Sequence, residues 1–62
     1  MGRQSILIVE DEVIIAMELR ETLEHLGGYM VVGSELRGED AVRSAGKLRP
    51  DVVLMDIHLK GR

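Results

Sequence analysis

Three short runs of consecutive apolar residues mark out the chain: Ile6-Leu7-Ile8-Val9, Tyr29-Met30-Val31-Val32 and Val52-Val53-Leu54-Met55. Apolar residues at successive positions, instead of alternate ones, suit strands buried on both faces, as in a parallel sheet. The first run leads into Glu10-Asp11-Glu12 and then a segment of good helix formers from Glu12 to Leu26. Within it Ile15, Leu19, Leu23 and Leu26 recur at helical spacing and predict one apolar stripe. Acids at its start and His25 near its end complement the helix dipole, and Gly27-Gly28 ends it. Gly33 to Gly38 reads as a loop. A second helix is expected from Glu39 to Leu48, with Ala41, Val42, Ala45 and Leu48 toward the core. Gly46 weakens it and Pro50 stops it.

The resulting order is β-α-β-α-β, which predicts an α/β fold with parallel strands and right-handed crossovers. A chain of 62 residues is at most one small domain. At this length only about 60% of the unfolded surface is buried on folding. No cysteine is present, so neither disulfides nor thiolate metal sites enter the argument. One Tyr, no Phe, no Trp and a net charge of −3 leave neither a stacking platform nor a basic surface, so no direct nucleic-acid partner is expected. No apolar run approaches the roughly 18 residues of a membrane span, and the four after Ser5 are too few for a signal peptide. No membrane association and a cytoplasmic location are therefore expected.

The chemistry concentrates at strand ends. Glu10 and Asp11 follow the first strand and Asp56 follows the third. Parallel strands bring their C-terminal ends to one sheet edge, where doubly wound folds bind ligands. An acid after a strand is ordinarily a helix cap or a solvated loop residue. Three that converge are different, because close like charges repel unless a cation sits between them. Oxygen-only donors favour a hard ion such as Mg²⁺, and an aspartate beside it can act as a covalent nucleophile toward phosphorus.

The segments Ile6-Leu7-Ile8-Val9-Glu10-Asp11-Glu12 and Asp51-Val52-Val53-Leu54-Met55-Asp56-Ile57-His58-Leu59-Lys60-Gly61 resemble the two signatures of response-regulator receiver domains in bacterial two-component systems. Gly38-Glu39-Asp40-Ala41 fits as the opening of the second helix. The resemblance covers essentially all of residues 1–62 and implies the N-terminal half of a receiver. The implied fold is a flavodoxin-like, CheY-like half-domain with parallel strands in the order 2-1-3. It further implies that Asp56 accepts a phosphoryl group from a histidine kinase or phosphotransfer protein. Mg²⁺ would be bound by Asp11 directly, by Glu10 through water, by Asp56, and by the backbone carbonyl of His58. The family's later hydroxyl and lysine, which contact the phosphoryl group, have no counterpart in these residues, and Lys60 is no substitute. Impaired phosphotransfer is therefore expected of this truncated domain.

Other readings compete. A Mg²⁺-dependent phosphatase with an Asp nucleophile usually carries a second Asp two residues later, where this chain has His58. The chain is accordingly expected not to be an enzyme. A self-associating structural half-domain without phosphotransfer is the other alternative, since the apolar third strand would be an open edge. A homo-oligomer is expected there, joining two sheets about a two-fold axis. His25 reads as a helix-end surface residue, and the His58 side chain as a candidate shield for an aspartyl phosphate.

Overall fold

The structure is a computed structural model, and it describes residues 2–55. Five elements follow one another: β1 (Gln4–Val9), α1 (Val13–Leu26), β2 (Tyr29–Glu35), α2 (Gly38–Leu48) and β3 (Val52–Met55). The strands form one parallel sheet in the order β2-β1-β3. This is the order expected of the first half of a receiver-type α/β fold. The two helices lie on opposite faces of the sheet, as the two burial clusters show. On one face Ile6 and Ile8 pack with Ala16, Leu19 and Leu23 of α1. On the other, Leu7 and Val9 pack with Ala41 and Ala45 of α2. Both faces of β1 are thus covered, which is why its apolar residues need no alternation. Each such side chain contributes roughly 1.5–3 kcal/mol when fully buried.

Both helices sit over β1 and β2, and Leu54 of β3 reaches the α1 cluster. The rest of β3 is half exposed despite its apolar sequence. What docks β3 is partly polar. Asp51, just before the strand, accepts from the Ser5 amide at 2.8 Å and from the Ser5 hydroxyl at 3.1 Å. In return the Asp51 amide donates to the Ser5 carbonyl and hydroxyl, each at 2.9 Å. The pair sets the register in which Ile6 faces Val52 and Val9 faces Met55.

Several details differ from the sequence reading. β2 does not end at Val32; it continues through Gly33, Ser34 and Glu35. The register jumps at this point, with Ile6 opposite Val31 but Leu7 opposite Gly33, so Val32 forms a bulge. A Cβ on Gly33 would meet Leu48 Cδ1 at 3.0 Å and Leu7 Cδ1 at 3.1 Å. Glycine here marks a close approach of β2 to the α2 side, and not a loop. Val42, expected in the core, is 74% exposed, and Leu26 is 65% exposed. Of the four α2 residues expected toward the core, Ala41 and Ala45 do pack against β1, while Leu48 is also half exposed, because a short helix close to a sheet covers a narrow stripe. Leu26 sits at the last position of α1, just before the Gly27 cap.

Helix α1 begins at Val13, so Glu12 is its N-cap position and no acid lies in its first turn. Its C-terminal reading holds: Gly27 adopts φ +86°, in the left-handed region that glycine enters without penalty, and its amide donates to the Glu24 carbonyl at 3.2 Å. α2 ends in a less usual way. Arg49 takes the left-handed position at φ 50° and its amide donates to the Ala45 carbonyl at 2.9 Å. Pro50 follows and prevents further helix.

Candidate acidic site at the strand ends

The C-terminal ends of β1 and β3 lie side by side, because Val9 pairs with Met55. Glu10 leaves β1 at this edge and is only 1% exposed. A carboxylate so deeply buried is costly unless it is hydrogen-bonded. Its Oε2 accepts from the Glu12 amide at 2.9 Å. That amide is one of the donors that α1 leaves unsatisfied at its N-terminus, so burial and capping coincide in one bond. The Glu10 backbone is also held: its amide donates to the Glu35 carbonyl at 3.0 Å.

Carboxylate oxygens of Glu10, Asp11 and Glu12 lie within 4.8 Å of one another, with Asp11 and Glu12 exposed. Two oxygens sharing one Mg²⁺ are at most about 4.2 Å apart, since each bond is close to 2.1 Å. A spread of up to 4.8 Å exceeds that limit, so a divalent ion shared by all three would need one acid to bind through water. Glu10 and Asp11, expected at this strand end, both have carboxylates in the cluster. The Glu12 carboxylate belongs to the same cluster. The N-cap position of α1 falls to Glu12, without a side-chain cap bond. Asp56 and His58 lie outside the described residues, immediately and three positions after Met55.

A second polar pair stands at the same edge. The Ser44 hydroxyl of α2 donates to Oε2 of Glu35, the last residue of β2. The pair was not legible in the residue pattern, because the bulge at Val32 reverses which face Glu35 occupies. Among the described residues, no helix is long and apolar enough to cross a membrane.

Comparison with known proteins agrees with this architecture. The model of the response regulator receiver domain matches residues 6–62. A protein-glutamate methylesterase/protein-glutamine glutaminase of Hahella chejuensis is 43% identical over 54 residues, which is 87% of this chain and 15% of that protein. The transcriptional regulatory protein PdtaR of Mycobacterium tuberculosis is 42% identical over 57 residues, covering 92% of this chain and 27% of the relative. Among solved structures, the signal receiver domain of a modulated diguanylate cyclase from Desulfovibrio desulfuricans superposes with a TM-score of 0.85 at 50% identity. That match covers 97% of this chain and 47% of the other. The chain thus spans about a quarter or less of these curated relatives and about half of the solved receiver. With its strand order, its paired acids after β1 and the match over residues 6–62, the chain belongs to the response regulator receiver domain family.

Proposed function

We propose that this chain is a phosphoryl-accepting signalling module whose acceptor is Asp56. The observation that carries the reading is the pairing of Val9 with Met55, since the residues after these two are Glu10 and Asp56. In the proposed step an Asp56 carboxylate oxygen attacks the phosphorus of a phosphohistidine. A P–O bond forms as the P–N bond breaks, and the leaving imidazole takes up a proton. The donor is a histidine kinase or a phosphotransfer protein. Glu10, Asp11, Asp56 and the His58 carbonyl would hold Mg²⁺, which when bound offsets the negative charge gathered around the transferring group. Glu10 acts through its fixed backbone and buried carboxylate, and Asp11 offers an exposed one. The location consistent with this role is the cytoplasm.

These 62 residues carry no counterpart of the hydroxyl and lysine that complete the family's site, so phosphorylation of this segment by itself is slow. Intact-mass measurement after incubation with Mg²⁺ and a small phosphodonor tests the reading. A slowly growing adduct of about 80 Da, one phosphoryl group, is expected in the wild type and absent in Asp56→Asn. Multiple turnover of the donor would point to a phosphatase instead. Calorimetry supplies an independent check: Asp11→Asn should lose the heat of Mg²⁺ binding, and equal heats would count against the metal site.

A second reading is favoured by a specific observation. β3 is apolar, half exposed and bordered on one side alone among the described strands. Such an edge is a template for another strand, so self-association through β3 is compatible with either function.

A further inference from the structure

We propose that Glu35 and Ser44 are positioning residues that set the aim of Glu10. The metal arm of this proposal rests on the reading of the acidic site given above; the backbone arm does not. Three observations combine. The Glu35 carbonyl accepts from the Glu10 amide at 3.0 Å, at the point where β1 gives way to the acidic loop. The Glu35 carboxylate is in turn fixed by the Ser44 hydroxyl of α2. The bulge at Val32 makes this possible.

The bulge matters because strand residues alternate between faces. Val31 packs with the α1 cluster, so an unbroken strand would turn Glu35 to that same face. The extra residue reverses the parity from Gly33 onward. Leu7 and Leu48 then crowd Gly33 on the α2 face, and Glu35, two residues further along, faces α2 as well. Bulges of this kind re-aim side chains next to functional sites.

The result is a chain of contact from α2 through Ser44 and Glu35 to the Glu10 backbone. The Glu10 carboxylate bonds toward α1 through the Glu12 amide, while its backbone amide bonds toward β2 at the Glu35 carbonyl. The seat of α2 against the sheet therefore bears on one of the proposed metal acids. The Arg43–Asp40 pair on the same helix is exposed and intrahelical at 3.2 Å, so it takes no part in this. Removing a partner bonded directly to a metal ligand typically changes metal affinity roughly 10–100-fold, and Ser44, acting through Glu35 and the Glu10 backbone, is expected at the lower end of that range.

The test uses the chain in Ser44→Ala, Ser44→Thr and Glu35→Gln forms, with amide hydrogen exchange read without metal. Ser44→Ala should speed exchange at Glu10 about tenfold relative to the amides of Ile6 to Val9. Ser44→Thr, which keeps the hydroxyl, should restore the wild-type rate. Glu35→Gln keeps an acceptor oxygen and should lie between the two. A purely structural role for Ser44 would accelerate exchange along all of β1 together, and that outcome overturns the proposal, as does an unchanged Glu10 rate. Calorimetry with Mn²⁺ is the second readout, with binding weakened about tenfold in Ser44→Ala. If the wild type binds no Mn²⁺, the acidic-site reading fails while the exchange result still decides the positioning role. If the wild type and Ser44→Ala bind Mn²⁺ equally, the positioning role fails and the site stands.

Discussion

At the scale of single residues, position in the sheet outranks residue type. Leu7 and Val42 are both aliphatic, yet Leu7 lies wholly buried on β1 and Val42 stands in solvent. Leu7→Ala should cost about 2–5 kcal/mol, as truncations of buried leucine do, while Val42→Lys should stay within about 0.5 kcal/mol. Urea unfolding of the two variants measures both, and a Val42→Lys cost near that of Leu7→Ala would contradict the described core. Gly33 offers a sharper case. Leu48 is partly exposed and can yield to a new methyl group, but Leu7 cannot, because packed atoms surround it. Gly33→Val is therefore expected to destabilise by about 1–3 kcal/mol through overpacking, with Gly33→Ala milder. The sequence showed that Glu10 and Asp11 share a strand end, because two residues in a row need no long-range information. It could not show Glu35 beside Ser44, since one bulged residue decides the face and leaves no trace in composition.

Among the elements, the three strands and two helices were legible, and their ends were less so. Apolar runs announce strands because both faces of β1 are covered, and the glycine after α1 announces its end. The tail of β2 was hidden because Gly33, Ser34 and Glu35 carry the residue types of a loop. They form strand because Leu7, Ile8 and Val9 supply a ready ladder beside them. The tie between Ser5 and Asp51 was equally invisible, as the residues are 46 positions apart and each is an ordinary polar residue. Asp51→Ala removes the acceptor for two bonds from Ser5. Both lie at the surface, so a loss of about 1 kcal/mol is expected, close to the worth of a typical net hydrogen bond. Thermal unfolding gives the measurement. A variant as stable as the wild type would mean that strand pairing alone holds β3 in register.

For the whole molecule, covering is uneven. β1 is enclosed by a strand on each side and a helix on each face, whereas among the described residues β3 has β1 on one side, Leu54 in the α1 cluster, and Val52, Val53 and Met55 half exposed. Val52, Val53 and Met55 invite a second strand, but four residues of edge bury far less than the roughly 800 Å² per partner of a standard interface. Self-association of the chain should accordingly be weak and concentration-dependent. Sedimentation across a dilution series should detect it, and Val53→Lys, at a half-exposed position of β3, should abolish it. A monomer at every concentration, with or without that substitution, would remove β3 as an association edge.

The same unevenness has a thermodynamic consequence for the acids. Residues 4–48 form a continuous β-α-β-α unit with a core on each side of β1, while β3 is joined to that unit by one ladder, one side chain in the α1 cluster and the Ser5–Asp51 tie. Regions with few buried contacts open first and at the least cost. Glu10 therefore rides on the part of the molecule that opens last, and the segment leading to Asp56 on the part that opens first. A ligand bridging the two would bind the docked state and not the opened one, so by mass action it would hold β3 in place. Metal occupancy and the attachment of the last strand become linked equilibria, and each should report on the other.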